Sequence, residues 1–382
     1  MAPGSTFSSR PAAASSVNLW DTLVSDAKVV AEDLRRHGVD RSVRGTLVTL
    51  EAFYINPDDR RRLATMKPAA QWLHRIWWFT KGLLLKLTPA RRLMLAVALV
   101  ISVFGEQRFS TGITRIVLSF SVFAGWLLFL ILVLELKDKL LARDELEAGR
   151  KVQLALMPTQ SPRIPGWDVW LYTQPANDVG GDLVDHLPLG GDRHAIALGD
   201  VAGKALPAAL LSVKLQATLR ALAPQCPTLS RLGEEVNQIF CRDGLPSRFA
   251  SLVYLDVRTG SGDVRVLNAG HMPPIVVRRA NARVMERGSV VLGIMDGAAF
   301  PEQSVTLEPG DALIVYSDGA SEAINEAGDF FGDERIMAIA ERANGDSANA
   351  IGEQIRSAVA TFTGLMPAND DLSLMVIKRL QF

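Results

Sequence analysis

The sequence predicts an α+β domain over residues 159–382, preceded by a helical hairpin at residues 93–136. Residues 167–174, WDVWLYTQ, alternate apolar and polar side chains with the period of a β-strand. Two more strand-like runs, ASLVYLDV and DVRVLN, flank the turn-forming RTGSG and predict an antiparallel hairpin. The segments LPAALLSVKLQATLRAL and SANAIGEQIRSAVATF are typical of helices. Antiparallel hairpins beside helices indicate the α+β class rather than a series of βαβ units.

The charge of the chain is balanced, with 41 basic and 41 acidic residues among 382. A general nucleic-acid-binding protein carries a basic excess, so this balance argues against a nucleic-acid partner. The two cysteines, Cys226 and Cys241, are too few for a disulfide framework or a thiolate zinc site. The length is sufficient for two or three structural units.

The first 92 residues carry weaker signals. Residues 1–16 are small, polar and contain proline, and they lack the apolar core of a signal peptide, so we predict that they are disordered. Residues 17–92 predict a helical region that lies partly at a membrane interface. Trp72, Trp77 and Trp78 stand among basic residues beside an apolar run, as in interfacial helices. Packing into a small N-terminal core is the alternative explanation of this composition.

Two apolar runs predict a transmembrane helical hairpin within residues 93–136. Residues 116–136 match the length of about 20 apolar residues that crosses a bilayer, with a buried soluble helix as the alternative. Residues 93–104 are fewer and predict a short, tilted or partly inserted helix. Lysine and arginine are more frequent outside the hairpin than in its loop, so the positive-inside rule places the N-terminus and the C-terminal domain in the cytoplasm.

Residues 137–158 predict a helix that connects the apolar hairpin to the C-terminal domain, because they are rich in strong helix formers. Their apolar spacing does not sustain a clean heptad, which leaves a homodimer formed through this helix open. The proline-containing segment PTQSPRIPG ends the helix and opens the next domain.

Acidic residues border apolar, strand-like runs at four places in the C-terminal domain. Listed in chain order, they are Asp182 in NDVGGDLVD, Asp200 in LGDVAGK, Asp318 in YSDGAS, and Asp370 with Asp371 in ANDDLSLMVI. Carboxylates on the rim of one core repel each other unless a cation lies among them. Oxygen ligands with no histidine or cysteine near by favour Mg²⁺ or Mn²⁺ over Zn²⁺. The sequence therefore predicts a divalent-metal site.

Residues 143–379 resemble the SpoIIE-like branch of the bacterial PPM family of metal-dependent serine/threonine phosphatases. The resemblance is carried by seven segments in the family's order, namely QLALMP, PANDVGGDLVD, GDVAGKALPAALL, NAGHMPP, VLG, YSDGASEAINEAGDFFG and NDDLSL. It implies an αββα sandwich, in which two antiparallel sheets lie between pairs of helices. It also implies a centre of two Mn²⁺ or Mg²⁺ ions at one edge of the sandwich.

The resemblance also implies roles for individual residues. Asp182, Asp200, Asp318 and Asp370 match the family's metal-binding and catalytic acids, and Asp200 matches the acid that bridges the two ions. The carbonyl of Val201 matches a backbone ligand. Asp371 is a further candidate metal ligand that ranks below Asp370, because relatives vary between Asp and Asn at its position. Asp185 is expected to support the site without binding metal.

Several positions depart from the family pattern. The family usually has Ser at Ala202 and Gly at Ala205, and an aromatic residue is common just after the first acid, where this chain has Leu183. The segment QPANDVGGD lacks the arginine that holds phosphate in eukaryotic relatives, so phosphate binding would depend on the metals, with Lys204 as a candidate helper. None of these changes removes a metal ligand, so an active enzyme is expected.

Other motifs were weighed for chemistry. GDVAGKALP lacks the residues that a Walker loop requires, because Leu198 and Ala205 stand where glycine and a hydroxyl residue are needed. His271 in NAGHMPP is either an acid for the leaving group or a structural residue that closes a turn. Ser321 has no histidine at a spacing that indicates a hydrolase triad.

The resemblance implies a bacterial protein phosphatase, and the two apolar runs predict that it is anchored in the inner membrane with a multi-pass topology. Its substrate would be a phosphorylated protein, with an anti-sigma-factor antagonist of a partner-switching pathway as the candidate. A catalytically weak pseudophosphatase scaffold that binds a phosphoprotein is the alternative. A membrane-bound nucleotide-processing enzyme is a third reading, which lacks a matching sequence signature.

Overall fold

The fold is taken from a computed structural model of the 382-residue chain. The structure describes residues 74, 77–78, 81–82, 84–103, 106–111, 114–158, 160–243, 248–279, 281–343, 345–364 and 366–381. The predicted disorder of residues 1–16, and most of the predicted helical region 17–92, lie outside these residues. The described chain forms two compact units, which divide between Lys137 and Asp138.

The first unit contains two helices with a β-hairpin between them. Helix α1 (Pro89–Val103) is followed by β1 (Glu106–Thr111) and β2 (Thr114–Ser119), which pair antiparallel, and then by α2 (Phe120–Leu156). Arg91 of α1 donates hydrogen bonds to the Glu135 carboxylate at 2.7 Å and to the Leu134 carbonyl at 3.2 Å. These contacts hold α1 beside the apolar half of α2.

The predicted hairpin of two transmembrane helices is not supported. Residues 116–119 belong to β2 rather than to a helix, because β-branched residues at Thr114, Ile116 and Val117 favour a strand, and this strand pairs antiparallel with β1. Helix α1 has 15 residues, which span about 22 Å, short of the bilayer's ~30 Å hydrocarbon core. In the described part of the chain, α2 alone has the length and apolarity to cross a membrane, with a mean hydropathy of 2.0 in its most apolar window.

Helix α2 continues without a break for 37 residues, so the apolar segment and the predicted connecting helix form one element. Its charged second half enters the C-terminal unit and ends at Leu156. Pro158 follows two residues later, where proline's missing N–H and fixed φ prevent the helix from continuing.

The C-terminal unit contains ten strands and five helices among its described residues. The strands are β3 (Trp167–Gln174), β4 (Leu183–Gly190), β5 (Arg193–Val201), β6 (Ala250–Arg258), β7 (Asp263–Ala269), β8 (Ile275–Arg278), β9 (Asn281–Val284), β10 (Glu302–Thr306), β11 (Ala312–Tyr316) and β12 (Leu372–Arg379). The helices are α3 (Ala205–Leu222), α4 (Leu229–Arg242), α5 (Asp318–Ser321), α6 (Asp333–Arg342) and α7 (Ala348–Thr363). The predicted hairpin of β6 and β7 and the predicted helices α3 and α7 are confirmed.

The strands form two antiparallel five-stranded sheets, with orders β10-β7-β6-β5-β4 and β3-β12-β11-β8-β9. One apolar cluster lies between the two sheets and includes Ile196, Val253 and Met375. A second cluster joins the first sheet to α3 and α4, and a third joins the second sheet to α6 and α7. These three apolar layers make an αββα sandwich, which confirms the predicted α+β class and the fold that the family resemblance implied.

The strand registers bring several acidic segments to one end of the sandwich. Asp200 lies at the end of β5, opposite Ser251 of β6. In the other sheet, Tyr316 at the end of β11 pairs with Leu374 near the start of β12. The residues just after β11 and just before β12, Asp318 and Asp371, therefore lie at the same edge.

Candidate metal centre

Asp371 organises the loop that carries Asp182. One of its carboxylate oxygens accepts a hydrogen bond from the Gly181 amide at 2.6 Å and another from the Asp182 amide at 3.3 Å. The other oxygen accepts from the Ala176 amide at 2.8 Å. A Cβ atom on Gly180 would lie 2.3 Å from Asp371 Oδ2, so any larger residue at position 180 would displace the Asp371 carboxylate that clamps these amides. The chain thus uses Asp371 to hold backbone amides in place.

Asp182 is a buried carboxylate with an unpartnered oxygen. Its side chain is almost fully enclosed, with 3% of the residue exposed, and Oδ2 has no hydrogen-bond partner. Burial raises the pKa of Asp182 well above its ordinary value, and the charges of Asp200 and Asp371 raise it further. A buried acceptor without a donor costs stability unless a cation or a proton satisfies it.

Asp200 lies beside the glycine pair of the same loop. A Cβ atom on Gly181 would lie 2.9 Å from the Val201 carbonyl oxygen and 3.4 Å from Asp200 Oδ1. Glycine therefore lets the loop lie against both of these oxygens. Burial, followed by the charges of Asp318, Asp370 and Asp371, raises the pKa of Asp200 to about 7. These interactions establish that the carboxylates from four segments share one electrostatic environment.

Asp318 and Asp370 complete the acidic rim from the second sheet. Burial raises the pKa of Asp318, and the charge of Asp370 is the next largest cause. Gly319 packs tightly on the neighbouring segment, since a Cβ atom there would lie 2.0 Å from the Asp371 carbonyl oxygen. Asp370 is half exposed and forms an ion pair with Lys204 at 3.5 Å. This makes Asp370 the acid of the group that faces solvent most openly.

Ser317 links the two acidic segments, a role that sequence reasoning missed. Its hydroxyl donates to the Asp371 carbonyl at 2.9 Å and accepts from the Ser373 amide at 2.8 Å. The backbone amide of Ser317 also donates to the Ser373 carbonyl at 2.9 Å. The end of β11 and the start of β12 are therefore fixed to each other. A buried serine directly before the YSDG aspartate was the available signal.

These residues fit divalent cations by the chemistry of their donors. The site presents carboxylate oxygens and the Val201 carbonyl, and the unpartnered Oδ2 of Asp182 is an oxygen that a cation would satisfy. In the described part of the chain, no three His, Cys, Asp or Glu side chains already stand close enough together to form a ligand set. The acids are gathered at one rim but are not arranged as finished coordination spheres.

His271 is a structural residue. Its amide donates to Asn268 Oδ1 at 2.9 Å, which closes the NAGH turn. Nδ1 lies 2.7 Å from the Ser251 hydroxyl and Nε2 lies 3.1 Å from the Tyr316 carbonyl, so both ring nitrogens are engaged. Burial lowers the pKa of His271 to about 4, which opposes a role as a proton donor near neutral pH. The contact with Ser251 also gives no support to a triad with Ser321.

The loop after Asp200 contains two strained or crowded positions. Gly203 has φ of 123°, and a Cβ atom there would lie 1.4 Å from an Arg248 guanidinium nitrogen. That guanidinium donates to the Ala202 carbonyl at 2.8 Å, a contact that sequence reasoning missed. Ala205 has φ of 61°, in the left-handed region that favours glycine. The departure from the family's glycine at position 205 is therefore accommodated with backbone strain.

Two predicted helpers of the site have defined partners. Lys204 donates to the Asn369 carbonyl at 2.7 Å, so it ties the start of α3 to the segment before Asp370. Asp185 receives two hydrogen bonds from Arg220, at 2.7 and 2.8 Å. The buried Asp185 carboxylate is thus neutralised by an arginine of α3 and does not join the acidic rim.

The end of α2 contacts the Asp182 loop through Gln153. The buried side-chain amide donates to the Gly180 carbonyl at 2.8 Å and accepts from the Gly180 amide at 3.3 Å. Gln216 of α3 donates to the Leu156 carbonyl at 2.8 Å, which fixes the last turn of α2. Glutamine in QLALMP was visible in the sequence, but its partner, 27 residues away, was not.

A family model and two curated relatives match the C-terminal domain or most of it. The model of the family described as stage II sporulation protein E (SpoIIE) matches residues 190–380. Protein IcfG of Synechocystis is 28% identical over 232 residues, which cover 53% of this chain and 36% of IcfG. Phosphoserine phosphatase RsbU of Bacillus subtilis is 24% identical over 239 residues, which cover 62% of this chain and 70% of RsbU. The chain thus spans about a third of IcfG and more than two thirds of RsbU.

A solved structure shares the fold. The SiaA-PP2C domain of Pseudomonas aeruginosa superposes with a TM-score of 0.56 at 19% identity, covering 64% of this chain and 99% of that domain. The family match begins at Gly190, after Asp182. The loop that carries Asp182 lies outside the matched region. Its contacts with Asp371, Asp200 and Val201, described above, join it to that region.

Proposed function

Because the chain belongs to the SpoIIE family, we propose that its phosphatase domain hydrolyses phosphoserine or phosphothreonine in a protein substrate with two divalent ions. The ions would be Mn²⁺ or Mg²⁺, held by Asp182, Asp200, Asp318 and Asp370 with the Val201 carbonyl. The observation that carries this proposal is the gathering of these oxygens at one rim, including the buried, unpartnered Oδ2 of Asp182.

Bound divalent ions would supply an activated water and would offset the charge that develops on the phosphoryl oxygens. The chain itself positions the ligands. Asp371 would hold the Asp182 loop through three backbone amides rather than serve as a primary ligand. Ser317 keeps the Asp318 and Asp370 segments adjacent, because its hydroxyl donates to the Asp371 carbonyl and accepts from the Ser373 amide. No protein nucleophile is needed for this chemistry.

The relatives support a phosphoprotein substrate. RsbU is named a phosphoserine phosphatase. The SpoIIE family model matches residues 190–380, which include the Asp200, Asp318 and Asp370 segments of this chain. We therefore propose a phosphorylated protein as the substrate, with an anti-sigma-factor antagonist of a partner-switching pathway as the specific candidate. Helix α2 would anchor the domain to the bacterial inner membrane by its apolar half. The half after residue 137 would serve as the connecting helix and as the contact for a homodimer.

A phosphoprotein-binding scaffold with weak catalysis is the second candidate. It is favoured by one observation, which is that no three acids of the described residues stand as a ready ligand set. The two candidates differ in whether the intact acids support turnover.

The test is Mn²⁺-dependent hydrolysis of p-nitrophenyl phosphate by the detergent-solubilised full-length chain. We expect Asp200→Asn to reduce kcat/KM by at least about 100-fold, because the substitution removes a charge that would hold the ions that stabilise the transition state. Asp192→Asn is the matched control, because Asp192 is exposed in the turn between β4 and β5. Equal rates for the wild type and Asp200→Asn would favour the scaffold.

A further inference from the structure

We propose that His271 is a positioning residue of the candidate metal centre, because it ties the strand beside Asp200 to the strand that leads to Asp318. This role rests on the proposed phosphatase function and deepens it, since it names a group that fixes how far apart the acids of the two sheets lie. The sequence left two other roles for His271 open, an acid for the leaving group and a residue that closes a turn.

His271 lies where the chain passes from one sheet to the other. Strand β7 belongs to the first sheet and β8 to the second, and residues 270–274 join them. The His271 amide donates to Asn268 Oδ1 at 2.9 Å, and Pro273 and Pro274 restrict the backbone that follows. Only 7% of the residue is exposed, so the ring is held in the interior.

The imidazole bridges the two sheets with one hydrogen bond on each side. Nδ1 lies 2.7 Å from the Ser251 hydroxyl of β6, and Nε2 lies 3.1 Å from the Tyr316 carbonyl of β11. A carbonyl oxygen can only accept, so Nε2 carries the ring hydrogen and Nδ1 accepts from the hydroxyl. Burial lowers the pKa of His271 to about 4, so the ring is neutral at pH 7 and keeps these donor and acceptor roles.

Each partner of the ring lies next to an acid of the proposed centre. Ser251 pairs directly with Asp200 across β5 and β6, which places both side chains on one face of the sheet with Cβ atoms about 4.5–5.5 Å apart. Tyr316 is the last residue of β11, two positions before Asp318. The ring therefore fixes the separation between the strand ends that carry these two acids.

The bond to His271 also determines what Ser251 can offer to its neighbour. A serine hydroxyl has one hydrogen, and here that hydrogen is donated to Nδ1. The hydroxyl therefore does not compete with a cation for the oxygens of Asp200. Without the imidazole as acceptor, the hydroxyl would be free to donate to the carboxylate.

Two cross-ties thus span the acidic rim. Asp371 joins the start of β12 to the Asp182 loop, whereas His271 joins β6 to β11. Metal affinity depends on the separation and orientation of the ligands, and groups that only orient ligands typically change it about 10–100-fold. Loss of the His271 cross-tie should therefore weaken metal binding without removing any ligand.

The test is the affinity of the detergent-solubilised full-length chain for Mn²⁺, measured by titration calorimetry below the melting temperature of each variant. We expect His271→Leu to weaken Mn²⁺ binding roughly 10–100-fold, because both bonds are lost and the Ser251 hydroxyl is released. Ser251→Ala should weaken binding less, since the bond to the Tyr316 carbonyl remains, and it decides the question if His271→Leu does not fold. Ser251→Thr should restore the wild-type affinity, because threonine keeps the hydroxyl and suits a strand.

Asp256→Asn is the matched control, because Asp256 is a buried carboxylate of the same strand, about 17 Å beyond Ser251. The substitution weakens the ion pairs with Arg193 and Arg265 and lowers stability, but it should leave the Mn²⁺ affinity unchanged. The electron paramagnetic resonance spectrum of bound Mn²⁺ is a second readout, since the coupling between neighbouring ions depends on their separation. We expect this spectrum to change in His271→Leu and to stay the same in Asp256→Asn.

Unchanged Mn²⁺ affinity and an unchanged spectrum in both His271→Leu and Ser251→Ala would overturn the positioning role. An equal loss of affinity in Asp256→Asn would also overturn it, because the loss would then follow stability alone. Weaker binding in the His271 and Ser251 variants of a chain that does not hydrolyse p-nitrophenyl phosphate would support the positioning role and refute the catalytic proposal. A wild type that binds no Mn²⁺ would refute the metal centre and this role with it.

Discussion

Asp371 and Gly181 are 190 residues apart in the chain and are joined by a hydrogen bond of 2.6 Å from the glycine amide to the carboxylate. With the bonds to Ala176 and Asp182, this contact fastens the loop of the first sheet to the start of β12 in the second. The acidic rim therefore depends on one carboxylate that is committed to the backbone. Replacing Asp371 therefore tests the structural support of the rim without removing Asp182, Asp200, Asp318 or Asp370.

We expect Asp371→Ala to lower the free energy of unfolding by about 3 kcal/mol, since two buried amides and one partly buried amide lose a charged acceptor. Asp371→Asn should cost less, because the amide oxygen still accepts one of these bonds. Denaturant unfolding of the full-length chain measures both effects. Asp192→Asn, at an exposed turn, should leave the stability unchanged. An Asp371→Ala chain as stable as that control would show that the clamp is dispensable.

Asp182→Asn should increase the stability of the metal-free chain. The substitution keeps the shape of the side chain but removes a buried negative charge whose Oδ2 lacks a partner. The same change should abolish the rise in melting temperature that Mn²⁺ gives the wild type, because a ligand that binds only the folded state stabilises it. Melting curves with a chelator and with millimolar Mn²⁺ test both statements.

Asp185→Asn provides the contrast, only three residues away. It leaves Arg220 without its buried carboxylate partner, so stability should fall while stabilisation by Mn²⁺ persists. A gain in stability for Asp185→Asn, or a loss for Asp182→Asn, would contradict the assignment of the two acids to different environments.

Ala205→Gly should stabilise the protein by about 0.5–1 kcal/mol. Alanine at φ of 61° carries a steric cost of about 1–2 kcal/mol, and glycine relieves it while losing part of the gain to the flexibility of the unfolded chain. Ala217→Gly is the matched control on the exposed face of the same helix, where glycine should cost about 1 kcal/mol. Chemical unfolding of the two variants should therefore show changes of opposite sign.

His271 makes stability depend on acid. Its pKa is about 4 in the folded protein and 6.5 when exposed, so the unfolded chain binds more protons between these values. The contribution of the neutral, buried ring is complete above pH 6.5 and is lost as the pH falls toward 4, by up to about 3 kcal/mol. The buried Asp182, whose pKa is raised, acts in the opposite direction, because protonation of this acid favours the folded state.

The contribution of His271 is therefore measured as a difference between two proteins. Between pH 6.5 and 4, the wild type should lose more unfolding free energy than His271→Asn does. The asparagine variant will be less stable near neutral pH, because Ser251 and the Tyr316 carbonyl lose their partner. Parallel pH profiles for the two proteins would exclude His271 as the titrating group.

The sequence was sufficient for the elements and their class. Period-two alternation in WDVWLYTQ and the RTGSG turn predicted β3 and the β6–β7 hairpin, since local polarity and turn chemistry determine these features. The sequence was insufficient to assign the secondary structure at the start of the second apolar run. The composition of residues 116–119 is compatible with either a helix or a strand, and pairing with β1 makes these residues a strand.

The sequence by itself determined that acids stand at strand ends beside turn residues and that their donors suit hard cations. Only the tertiary structure decided how each acid is used. Asp371 clamps backbone amides and Asp185 pairs with Arg220, while Asp182 keeps an unpartnered oxygen. The physical reason is that a carboxylate's role depends on which donors lie within 3 Å, and here those donors come from segments far apart in the chain.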